Sequence, residues 1–150
     1  MKRYAVAALA LSAMWISVVM GADPKLDKAK CPVSGKEVKA ASALDHNGGK
    51  VYFCCDNCPA AFKKDTAKFT AKANHQLLVT GQAKEVKCPI AGRDLNTDTV
   101  IEIGGAKVCF CCNNCKGKAT KATGDEQLEL VFGKTAFEKG FKVGEEKKKE

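Results

Sequence analysis

This chain is poor in the residues that most active sites are built from. Its only two histidines are His46 and His75, and they have no serine–histidine–acid constellation, phosphate-cradling glycine loop or dinucleotide fingerprint beside them. That leaves an enzyme only as a thiol- or metal-dependent oxidoreductase. Large apolar side chains are also few: seven phenylalanines must serve the whole chain, so core burial alone leaves a fold of this size marginal. Nor does any apolar run reach the roughly 20 residues that span a bilayer.

The longest apolar run, Tyr4 to Met20, follows Met1-Lys2-Arg3 and gives way to Gly21, Ala22, Asp23 and Pro24. A short charged start, an apolar stretch and small residues make up a secretory signal, so residues 1–22 are expected to be cleaved after Gly21 or Ala22. No cysteine follows to accept a lipid. The expected location is the periplasm or the extracellular space, with a retained membrane anchor as the lesser alternative and no stable span in the mature chain. Without Lys2 and Arg3 the chain holds 23 basic against 17 acidic groups. The lysines are scattered and the 144–150 tail mixes signs, which reads as a solvated surface and a flexible end, with no nucleic-acid partner.

Cysteine is what the chain has in excess, with nine, all beyond residue 22. They fall into a repeat. Lys30-Cys31-Pro32-Val33-Ser34-Gly35-Lys36-Glu37 reappears 57 residues later as Lys87-Cys88-Pro89-Ile90-Ala91-Gly92-Arg93-Asp94. The same offset carries Gly48 to Gly105 and Phe53 to Phe110, and then Cys54, Cys55, Asn57 and Cys58 to Cys111, Cys112, Asn114 and Cys115. Four cysteines superposing on four without a gap indicates an internal duplication. The units are expected at 28–84 and 85–143. Each reads as a tight turn at Cys-Pro-x-x-Gly, a hairpin about a Gly-containing turn, and a helix opening near the last cysteines. In the first unit Asp56 or Asn57 is the expected cap, and Cys58, Phe62 and Phe69 are expected on one helical face. Gly117 and Gly124 make the second helix less regular. Leu128 to Phe132, Phe137 and Phe141 are expected to add apolar cover.

Within each unit the spacing is Cys-x22-Cys-x3-Cys: Cys31, Cys54 and Cys58, then Cys88, Cys111 and Cys115. Residues four apart at a helix start share a face, and the distant cysteine arrives on the turn. Three sulfurs can then converge, and the helix N-terminus favours the thiolate that binds metal.

These residues resemble the YHS and TRASH domains, small treble-clef-like zinc-finger relatives marked by a Cys-Pro-x-x-Gly knuckle and a later Phe-Cys-x3-Cys. The likeness covers Lys30 to Phe69 and Lys87 to about Lys121, and is closer in the first unit, where Tyr52-Phe53 matches and the second has Cys109-Phe110. It implies a small α+β fold of two tandem treble-clef-like units. The function it implies is heavy-metal binding in trafficking, sensing or resistance, with zinc or copper as cofactor and a metal-transport or other envelope protein as possible partner. Both units depart from the four-cysteine pattern, because Ser34 and Ala91 stand where a second knuckle cysteine would be. Three thiolates suit Cu(I), or Zn(II) with a fourth ligand from elsewhere.

Other readings of the cysteines stay open. Cys55 and Cys112, auxiliary to the triads, create the redox spacings Cys55-x-x-Cys58 and Cys112-x-x-Cys115 and with them a thiol–disulfide alternative. Disulfides such as Cys31 to Cys58 would staple a small secreted scaffold. A structural metal holding an interaction module is a third possibility. His46 and His75 do not recur between the units, which argues against either as a ligand.

Overall fold

The computed structural model describes residues 25–144; the expected signal at 1–22, and all of the charged tail except Gly144, lie outside them. The fold is small α+β, with five helices and three two-stranded antiparallel sheets among the described residues.

Both knuckles close in the same way. Gly35 N–H donates to Cys31 O at 2.8 Å and Gly92 N–H to Cys88 O at 2.7 Å, while Cys31 N–H and Cys88 N–H bond back to Lys36 O and Arg93 O. Gly35 and Gly92 have φ of 72° and 68°, which a residue bearing a Cβ adopts only with strain. The hairpins follow: β1 (Lys39–His46) with β2 (Gly49–Phe53), and β4 (Asn96–Ile103) with β5 (Ala106–Phe110). Asn47-Gly48 and Gly104-Gly105, all at positive φ, form the two-residue turns that match strand twist. Even the irregularity repeats. The register shifts between Lys39 and Ala43 in one hairpin and between Asn96 and Val100 in the other, 57 residues on.

The helical parts diverge from the expected single helix per unit. The first unit has α1 (Asn57–Lys64) and α2 (Thr66–Val79), interrupted at Asp65. Asp65 adopts φ −144° and its carboxylate accepts Lys68 N–H at 3.2 Å, so it caps a new helix and does not continue the old one. Phe62 and Phe69 therefore lie on different helices, with rings stacked at 6.4 Å. Asp56 occupies the N-cap of α1 but makes no side-chain cap bond.

The second unit has α3 (Asn113–Lys121), α4 (Gly124–Phe132) and α5 (Lys134–Gly140). Gly117 is accommodated inside α3. The break comes at Ala122 and Thr123, with Gly124 opening α4 at φ 59°. Ala119 takes the buried place of Phe62.

Two short strands join the units. β3 (Ala83–Glu85) pairs antiparallel with β6 (Phe141–Val143), Lys84 opposite Lys142 at the centre. Helices α2 and α4 also pack together. Phe137 stacks on Phe141 with centroids 5.1 Å apart, and Phe141 lies 5.6 Å from Phe132. Phe53, Val51 and Leu77 of the first unit belong to the same buried cluster as Phe110, Val108, Val131 and Phe132 of the second.

Candidate metal centres

The framework delivers three sulfurs to one point, twice. Cys31 sits at the knuckle, Cys54 directly after β2, and Cys58 in the first turn of α1; Cys88, Cys111 and Cys115 hold the same places about β5 and α3. In each triad all sulfurs lie within 4.8 Å of one another. Cys54 Sγ is 3.6 Å from Cys58 Sγ, and Cys111 Sγ is 3.8 Å from Cys115 Sγ. Sulfurs bound about 2.3 Å from a common ion sit about 3.8 Å apart in a tetrahedral shell and about 4.0 Å apart in a trigonal one. The donor sets thus have the size and softness a thiophilic ion requires.

Burial is graded across each centre. Cys31 is 1% exposed and Cys88 0%, Cys58 and Cys115 are buried, and Cys54 and Cys111 are half-buried. All nine cysteines are free thiols, Cys31 and Cys58 included.

The thiols are unequal acids. Burial opposes ionisation of Cys31, but hydrogen bonds from the Ser34 hydroxyl and from the backbone N–H groups of Ser34, Cys54 and Val33 outweigh it and bring its pKa to about 7. Cys88 is lowered against its burial by the backbone of Ala91, Cys111 and Ile90 and by the Cys111 thiol. Burial, with hydrogen bonds among neighbouring thiols and the charge of Cys31, drives Cys58 far above the ordinary thiol range. Burial and its own thiol neighbours push Cys115 up to about 12. Without an ion each centre thus pairs a more readily ionised thiol at the knuckle with one on the helix that holds its proton strongly. A metal ion would have to displace that helical proton, which ties affinity to pH.

Ser34 is not an idle replacement for a missing cysteine, since its Oγ lies 3.1 Å from Cys54 Sγ. Ala91 offers no such group, so the two centres differ by one hydroxyl. Cys55 Sγ approaches to 3.3 Å from Cys58 Sγ and 3.8 Å from Cys54 Sγ, yet Cys55 is exposed and stands outside the converging set. Cys112 Sγ is 3.7 Å from Cys111 Sγ.

The histidines have other duties. His46 donates through Nε2 to Asn74 Oδ1 at 3.1 Å, and His75 Nε2 donates to Ile103 O at 2.9 Å, tying α2 to the second hairpin. Cys109 also stands apart from the triads. Its Sγ donates to Asn96 O at 2.9 Å and its N–H to Glu85 Oε2 at 2.8 Å.

Compared with protein-family models, curated proteins and solved structures, the chain matches none. Two cysteine triads are positioned to hold a metal ion each, and among the described residues no helix is long and apolar enough to cross a membrane.

Proposed function

We propose that this chain is an exported metal-binding protein of the YHS and TRASH type. In this reading it takes one Cu(I) or Zn(II) ion per tri-cysteine centre and serves as a carrier, buffer or sensor component of the cell envelope. The observation that carries the reading is the convergence of Cys31, Cys54 and Cys58 at ligand spacing, repeated by Cys88, Cys111 and Cys115. Knuckle, hairpin and helix in that order support the treble-clef likeness. The charged and apolar pattern of the first 22 residues supports export.

Anaerobic purification followed by elemental analysis tests the reading. Two ions per chain are expected, falling to one in Cys54→Ser and to none when Cys111→Ser is added. A chain that takes up neither copper nor zinc under reducing conditions contradicts it.

One observation favours a second reading. The 3.3 Å approach of Cys55 Sγ to Cys58 Sγ suits a dithiol that cycles with a disulfide. A metal-free chain in which only that pair changes oxidation state would establish it.

A further inference from the structure

Cys55 and Cys112 take no part in either triad, yet the duplication keeps both. At the same offset it lets Ser34 become Ala91, Tyr52 become Cys109 and Phe62 become Ala119. Each sits directly after one triad cysteine and three residues before another. Cys55 is the most exposed sulfur of its group, since Cys31 and Cys58 are buried and Cys54 is half-buried.

An ion that arrives already held by a donor cannot be met first by sulfurs hidden from solvent. It needs an accessible sulfur within one coordination sphere of the buried ones. Cys55 fits, at 3.3 Å from Cys58 Sγ and 3.8 Å from Cys54 Sγ. The 3.8 Å separation matches sulfurs sharing one ion at about 2.3 Å, and the shorter 3.3 Å one leaves Cys55 and Cys58 close enough for an ion to pass from one sulfur to the other. In the second centre Cys112 stands 3.7 Å from Cys111 Sγ and is half-buried as Cys111 is, so its assignment rests on its equivalence to Cys55 in the repeat.

Resting on the metal-binding reading above, we infer that Cys55 and Cys112 are transfer ligands, through which the centres exchange a soft ion with a donor that presents it on a cysteine thiolate. In the first step the metal–Sγ bond to Cys55 forms as the bond to the donor sulfur breaks, and the Cys55 thiol proton passes to the departing donor thiolate. In the second, Cys58 replaces Cys55 on the ion and the Cys58 proton moves to Cys55, which is restored as a thiol, while bonds to Cys31 and Cys54 form as any remaining donor sulfur leaves, their protons passing to that sulfur and to solvent. The ion keeps its oxidation state throughout. The donor can be a small thiol or a protein thiolate pair.

The test follows Cu(I) transfer to the full, reduced chain by stopped flow. The ion is supplied in one arm as its glutathione complex and in the other on a protein carrying a Cys-x-x-Cys site. The double variant Cys55→Ser, Cys112→Ser is expected still to saturate at two ions while its transfer rate falls about tenfold, because exchange between thiols depends on access to the attacking sulfur. The arm in which the rate falls identifies the kind of donor. Unchanged rates in both arms, with two ions bound, overturn the inference and leave the metal-binding reading intact. Loss of saturation in the double variant also overturns it, by making Cys55 and Cys112 permanent ligands. Failure of the unaltered chain to bind Cu(I) in either arm, with zinc bound instead, overturns the transfer of a soft ion but not the metal site; failure to bind either metal removes both.

Discussion

At the scale of single residues, small substitutions decide how two copies of one unit behave. In the first unit the Gln76 side chain caps the outer strand, accepting Tyr52 N–H at 2.6 Å and donating to Tyr52 O and Lys30 O at 2.8 Å. In the second unit Glu85, on β3, accepts the equivalent N–H, that of Cys109. A carboxylate cannot donate as the amide does, and Glu85 Oε1 is buried without a partner. Burial raises the Glu85 pKa from 4.5 to about 7, with the Cys109 N–H acting in the opposite direction. The folded chain therefore binds this proton more tightly than the unfolded one. The contribution of Glu85 to stability is full below about pH 4.5 and is lost as pH rises through about 7. Glu85→Gln is expected to be the more stable protein at pH 8, with the gap closing at pH 5, as read by urea unfolding. A constant difference between the two pH values would contradict this account of Glu85.

At the scale of elements, the capping of α2 is separable from the metal chemistry. Asp65→Ala removes the acceptor for Lys68 N–H, so a loss of about 1 kcal/mol in unfolding free energy is expected. Metal stoichiometry should not change, because Asp65 lies at the far end of α1 from Cys58. Much at this scale was legible in the sequence. The gap-free offset of 57 exposed the duplication, and Asn47-Gly48-Gly49 marked the first hairpin, which the offset carries to the second. The break at Asp65 is hidden in the sequence, because the seven-residue spacing of Phe62 and Phe69 suits an unbroken helix as well as two helices with stacked rings. Asp65-Thr66 was the available signal, since a short acceptor side chain before a helical run favours a new N-cap. The repeated cysteine spacing located the triads but could not show the Ser34 hydroxyl against Cys54, or Cys55 against Cys58. Those contacts depend on side-chain direction at a strand end and a helix start, which spacing alone leaves free.

At the scale of the whole molecule, the two repeats lean on each other. Asn74 is 0% exposed and donates from Nδ2 to Phe132 O at 2.8 Å, while its Oδ1 receives Asn47 Nδ2 at 2.7 Å. A residue of α2 thus binds the first hairpin to the end of α4. The pairing of β3 with β6 adds a second seam. Burial of this kind supplies stability that neither thin half holds alone. Residues 25–86 expressed without the second repeat are accordingly expected to remain largely unfolded when metal-free, as judged by circular dichroism, whereas residues 25–144 fold. A well-folded, metal-free half would show that the shared core is dispensable. This interdependence could not be read from the repeat pattern, which describes each copy by itself and is silent on which apolar faces meet. The pattern does, however, bear directly on the central claim that each copy gathers its sulfurs about one ion. X-ray absorption at the metal edge of the reduced, loaded chain tests that claim most directly. The account predicts a shell containing three sulfurs at about 2.3 Å for each of two ions. A shell dominated by nitrogen or oxygen, or by one sulfur alone, would contradict it.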